Sequence, residues 1–261
     1  MQLITRATGE VLEGPRPDDV PIRISLLGGF SVVSGGVPVT DLPSGSQRLL
    51  AFLAMQDRPM TRASVAAAMW PDVTAQHAGD SLRSALARLD PASRAAIDAG
   101  SALVLDPSAV VDYADARALA HRLLDAESIM IDGDLAATSV QTLSRDLLPD
   151  WPDRWIDAAA DEWRHLRGSA LEALAHRLIA DARLAEAREV ARAAMRIDPL
   201  RETPLATLVR IHLADGNQSD AIAAFDSYRA TLREALGIEP TGHLSDLLIG
   251  IHADGNESPR R

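Results

Sequence analysis

Residues Thr61–Asp90 read TRASVAAAMWPDVTAQHAGDSLRSALARLD, two short helices joined by a turn. Thr61 is a good N-cap before an Ala-rich helix that ends at Trp70, and Pro71-Asp72 stops it. A second helix restarts near Thr74. Its Ala78, Leu82, Ala85, Leu86 and Leu89 fall on one stripe at helical spacing, so that side packs inward against the first helix. Gln76, Asp80, Arg83, Ser84 and Ala87 then face outward together, flanked by His77 and Arg88. An arginine fork suits guanine, an amide suits adenine, and a small apolar side chain suits a thymine methyl, so this face has the chemistry to read base edges in a major groove. An ordinary solvated helix face is polar as well, and the surrounding chain has to decide between the two.

Upstream, Ile22–Leu27, Phe30–Val33 and Val37–Thr40 alternate like strands, with Gly28-Gly29 and Gly35-Gly36 as turns, which predicts a small antiparallel sheet. Ser44–Gln56 follows as a helix that buries Leu49, Leu50, Phe52 and Leu53. Downstream, Ile97 and Leu103–Leu105 form two short strands around Ala99-Gly100-Ser101. Sheet, three helices and terminal hairpin is the order of a winged helix-turn-helix domain. In such a domain the third helix enters the major groove and the first two helix starts can offer backbone N–H groups to phosphates. Gln47, Arg48, Thr61 and Arg62 sit at those two ends, and with His77 and Arg88 they are the phosphate candidates. Gln76, Asp80, Arg83, Ser84 and Ala87 are the base candidates.

From residue 112 the chain reads as nearly all helix, over 113–126, 134–146, 163–180, 184–197, 201–214, 218–236 and 241–251. Ile179-Ala180-Asp181 with Ala187 aligns on Leu213-Ala214-Asp215 with Ala221 at a constant offset of 34. That is the period of tetratricopeptide helix pairs, in which small residues let neighbouring helices approach closely. Trp151, Trp155 and Trp163 cluster around Pro152 and are assigned to core packing. The fold is therefore mainly α with a small N-terminal β portion. A flexible leader over 1–20 is followed by a winged-helix domain over 21–111, a tetratricopeptide-like array over 112–252 and a loose tail over 253–261.

The 261 residues carry 26 basic and 37 acidic side chains, a net charge of −11, and every basic residue is Arg. Most of the excess acid lies beyond residue 111, whereas 44–94 holds 6 Arg against 4 acids. Attraction to phosphate therefore has to come from local placement against the field of the whole chain. There is no cysteine, which removes disulfides, thiolate metal sites and cysteine nucleophiles. No GxSxG, GxxxxGK[ST], HExxH or GxGxxG occurs, and no two His are spaced i, i+4, so neither an enzyme nor a metal or cofactor site is expected. With no signal peptide and no long apolar run, a cytoplasmic protein without membrane contact is expected.

IRISLLGGFSV at 22–32, SQRLLAFLA at 46–54, MWPDV at 69–73 and SLRSALARL at 81–89 resemble the winged helix of the Streptomyces antibiotic regulatory protein family. DLLPDWPDRW at 146–155, DPLRE at 198–202, and LADGN with ALGIEP within 213–240 resemble its bacterial transcriptional activation domain. The resemblance spans roughly 22–250. It implies an activator that binds repeated promoter elements, as a homodimer or side-by-side pair, and recruits RNA polymerase holoenzyme, with no cofactor. Two features depart from the family pattern: Ala99-Gly100-Ser101 is a short, uncharged wing, and Asp80 puts an acid on the reading helix. These departures and the acidic body are what a rival reading would use, a scaffold whose winged helix and repeats bind protein instead of DNA.

Overall fold

The structure is a computed structural model that describes residues 21–131 and 133–254, the last six by backbone alone. The leader over 1–20 and all but the first two residues of the tail over 253–261 lie outside the described residues. The chain divides into two compact units between Asp112 and Tyr113.

In the first unit, β1 (Arg23–Ser25), β2 (Ser31–Ser34) and β3 (Val37–Pro38) form an antiparallel meander. Gly35 and Gly36 turn its second hairpin at φ of 57° and 81°, values open to glycine at no steric cost. Then come α1 (Ser44–Ala54), α2 (Arg62–Met69), α3 (Ala75–Ala87), a single turn α4 (Pro91–Ala95), and the strands β4 (Ile97–Asp98), β5 (Val104–Leu105) and β6 (Val110–Val111). β4 and β5 pair as the terminal hairpin, and Leu103 exchanges two backbone hydrogen bonds with Met60 just before α2.

Two elements were not expected from the sequence. β6 adds to the edge of the sheet parallel to β1, giving the order β3-β2-β1-β6. A two-residue strand has too little alternation to be read, and its place is fixed by the next residue. The Asp112 carboxylate accepts from Leu26 N–H at 2.7 Å and Leu27 N–H at 3.3 Å, saturating donors at the end of β1. α4 is likewise too short for periodicity, but its cap is explicit: Asp90 accepts from the N–H groups of Ala92 and Ser93, and Pro91 needs no donor there.

The second unit holds α5 (Asp112–Leu124), α6 (Ala137–Leu143), α7 (Arg154–Ala180), α8 (Leu184–Ile197), α9 (Glu202–Ala214), α10 (Gln218–Leu236) and α11 (Gly242–Asp254). α7 packs on α8, α8 on α9 and α9 on α10, as expected of stacked helix pairs. α7 begins nine residues before the expected start at 163, because it takes in the tryptophan segment. Trp163 is buried edge-on against Tyr113 at 5.6 Å and donates its indole N–H to the Arg145 carbonyl. α6 is shorter than the expected 134–146 because Asp134 is drawn into the preceding loop. Its carboxylate takes a two-pronged bond from Arg122, at 2.9 and 3.1 Å, and the Ile131 N–H at 3.0 Å.

The repeat is carried in the backbone as well as in the residues. Ala182 and Arg183 N–H donate to Ile179 and Leu178 carbonyls, and at an offset of 34 Gly216 and Asn217 N–H donate to those of Leu213 and His212. Both corners need a left-handed residue, met by Gly216 at φ 73° and by the exposed Ala182 at φ 57°. Ala187 and Ala221, also at that offset, are fully buried where successive helices meet.

Ala182→Gly should therefore stabilise the helical unit by about 0.5–1 kcal/mol, since relief of the left-handed penalty exceeds the added unfolded-state entropy. Urea unfolding followed by Trp163 fluorescence checks the sign. The Arg122 hydrogen bond, opposed by burial, also lowers the Asp134 pKa. The stability this provides is complete above the unfolded carboxylate range near pH 4 and is lost as pH falls through the lower folded value. Asp134→Asn should cost about 1–3 kcal/mol at pH 7, and the gap from wild type should close in urea titrations carried down toward pH 3.

Candidate nucleic-acid interface

α3 owes its orientation to a narrow inner stripe. Ala78, Leu82 and Ala85, continued by Leu89 just past its end, are buried, and α3 packs on both α1 and α2 through this stripe. Ser46 on α1 is fully buried and donates its hydroxyl to the Ala85 carbonyl at 2.8 Å. Both α2 and α3 are capped at their starts. Thr61 accepts from Ser64 N–H at the start of α2, and Thr74 accepts from His77 N–H at the start of α3.

With the stripe inward, Gln76, Asp80, Arg83, Ser84 and Ala87 are all exposed on α3, as are His77 and Arg88 beside them. Arg83 pairs with Asp80 one turn earlier, both side chains well exposed at 71% and 50%. The acid on α3 is thus coupled to the arginine it accompanies. This face carries two guanidinium groups, an amide, a hydroxyl, an imidazole and a methyl, the donor and acceptor variety that base edges require.

The phosphate candidates divide. Arg88 and His77 are exposed. Arg62 is exposed at the start of α2 and donates to the Ala99 carbonyl at 2.8 Å, in the turn of the terminal hairpin. Thr61 spends its hydroxyl on the cap and on Ser64 Oγ at 2.8 Å. Gln47 and Arg48 are turned to internal work, which was not foreseen. Gln47 donates to the Leu42 carbonyl at 2.7 Å, and the half-buried Arg48 donates to the Met69 carbonyl at 3.2 Å with its guanidinium 6.0 Å from the Trp70 ring centre. Arg48 therefore closes the C-terminal end of α2, where a cation meets the negative end of the helix dipole.

One further cation belongs to this surface. Arg94 on α4 is exposed and donates to the Ala87 carbonyl at 2.6 Å, bringing a guanidinium to the C-terminal end of α3. The sequence holds a signal for it only once α4 is known, because the single turn folds Arg94 back across seven residues.

The profile of the bacterial transcriptional activator domain matches residues 111–251. Among solved structures, that of Mycobacterium tuberculosis EmbR in complex with a low-affinity phosphopeptide is similar in fold, with a TM-score of 0.62 and 21% sequence identity. The similarity covers 92% of this chain and 66% of that one, so the chain spans just under two thirds of its length. No curated protein sequence matches. Among the described residues no helix is long and apolar enough to cross a membrane.

Arg48→Ala should lower the stability of the first unit by about 1–2 kcal/mol, through loss of the Met69 hydrogen bond and the contact with Trp70. The measurement is the urea midpoint followed by Trp70 emission in a chain whose other three tryptophans are replaced by phenylalanine.

Proposed function

The chain belongs to the bacterial transcriptional activator domain family, and from that premise we propose that this activator, of the Streptomyces antibiotic regulatory protein type, reads promoter DNA through the outer face of α3. It binds repeated elements as a homodimer on DNA and helps to recruit RNA polymerase holoenzyme. The observation that carries the reading is the division of α3 into a fully buried stripe and an exposed face on which Gln76, Arg83, Ser84 and Ala87 stand together.

Roles follow from exposure and engagement. Arg83 makes the main base contact, with Gln76, Ser84 and Ala87 beside it. Asp80 orients Arg83 or accepts from a cytosine amino group. Arg88, His77, Arg62 and Arg94 meet phosphates, and the Thr61 end of α2 presents its first N–H groups to the backbone. Gln47 and Arg48 hold the helices in place. The neutral Ala99–Ser101 turn contributes position through Arg62 in place of a basic wing tip.

The test is a footprint and gel-shift series on the intergenic DNA beside the protein's own gene. Protection of spaced repeats, with a scrambled duplex bound far more weakly at moderate salt, is the expected result. Equal binding of target and scrambled DNA would overturn the reading and favour a protein scaffold. Arg83→Ala should cost about 1–3 kcal/mol on the target and relax its sequence preference. Arg88→Ala should weaken target and scrambled DNA alike and reduce the slope of log K against log salt by about 1.

A further inference from the structure

Two cavities adjoin in the helical unit, and their walls differ in kind. The smaller, about 480 Å3, lies among the 144–151 segment, α7 and the end of α8. Its charged lining is Arg164, Arg167 and Arg196 against Asp146 and Asp157, an excess of one positive charge in the part of the chain where acid otherwise prevails. The larger, about 790 Å3, opens between α6 and α8, where Leu135, Ala137, Val140, Leu178 and Val190 supply an apolar wall; the exposed Arg145, Glu186 and Glu189 also line it, the two glutamates paired with Arg183 and Arg192. Ser144 and Arg196 line both.

The arginines are only partly matched within the protein. Arg167 is 3% exposed, donates to the Leu143 carbonyl at 3.4 Å and to Asp146, and leaves its Nε–H without an acceptor. Burial lowers its pKa, Asp146 opposes this, and the nearby charge of Arg164 adds to it. A buried guanidinium beside a second one is a place where an added anion relieves cost. Arg196, on the wall common to both cavities, is exposed and its side chain has no hydrogen bond or ion pair among the described residues. Among the described residues Arg164 pairs only with the exposed Asp161, at 2.6 Å.

We propose that the two cavities form one binding site for an amphipathic organic carboxylate, its apolar body between α6 and α8 and its head on Arg164, Arg167 and Arg196. Both volumes lie in the range of small-molecule sites, and an apolar wall with a few convergent polar groups is their usual make-up. Guanidinium forks match the planar geometry of a carboxylate. In the smaller cavity, which takes the head, three arginines face Asp146 and Asp157; that suits a monoanion, since a dianion would be repelled by the two carboxylates.

Equilibrium dialysis of the full chain against radiolabelled decanoate tests the site without reference to DNA. Saturable binding of one decanoate is expected, with acetate unable to displace it and 1-decanol displacing it at least tenfold more weakly than unlabelled decanoate. Arg196→Gln and Arg164→Gln, both at exposed positions and checked for unchanged thermal unfolding, should each weaken decanoate at least fivefold and leave decanol alone. Absence of saturable binding, equal competition by decanol, or unchanged affinity in both variants would overturn the proposal.

Discussion

The inner stripe of α3 is the constraint on which the first unit depends. In thirteen residues the helix offers Ala78, Leu82 and Ala85 for burial, with Leu89 beyond its end, so it has one way to dock. Turning it by one residue would carry Arg83 inward in one sense, or His77 and Arg88 in the other, at the cost of desolvating charge. The small side chains let α1 come close, Gly45 lying where an added Cβ would stand 3.9 Å from Ala85. That approach is what allows Ser46 to reach the Ala85 carbonyl. The outward face is thus set by what the inward face can bury, and its chemistry is free to be chosen for another purpose.

In the second unit the same kind of economy works by repetition. Buried Ala187 and Ala221 occupy equivalent places, and the corners at 178–183 and 212–217 make the same pair of backbone bonds. Such corners demand a left-handed residue, and the first copy meets the demand with alanine at some cost. A repeat tolerates one strained corner because neighbouring helices share the burial that holds it.

What was legible in the sequence was whatever has a period. The α3 stripe, the three helices from 184 to 236 and the 34-residue offset were all readable, because burial imposes spacing on long helices. Elements made by a single contact were not. β6 exists because Asp112 gathers two N–H groups at the end of β1, eighty-six residues away in sequence for Leu26. α4 rests on one capping carboxylate, and the short α6 on Arg122 drawing Asp134 out of the helix. At the interface the exposed face could be read from spacing, whereas the inward turn of Arg48 toward Met69 and Trp70 could not. An arginine at a helix start looks the same in sequence whether it faces solvent or closes a neighbouring helix.

The difference between Arg48 and the other cations bears on how an acidic protein could bind a polyanion. Arg83, Arg62 and Arg94 are exposed, and each is held by one bond to a solvent-facing partner: Asp80, the Ala99 carbonyl or the Ala87 carbonyl. Exposed pairs of this kind are worth roughly 0–1 kcal/mol, so exchanging them for a phosphate or a guanine edge costs little. Their value lies in placement, because a side chain already held near its working position loses less rotamer freedom on binding. Arg48 would have to abandon a half-buried carbonyl and an aromatic face, and it stays. On the proposed reading, affinity then arises from a few lightly tethered guanidinium groups around α3 against a repelling body, so it falls with salt in proportion to the few phosphates they neutralise and leaves discrimination to Arg83 and the residues beside it.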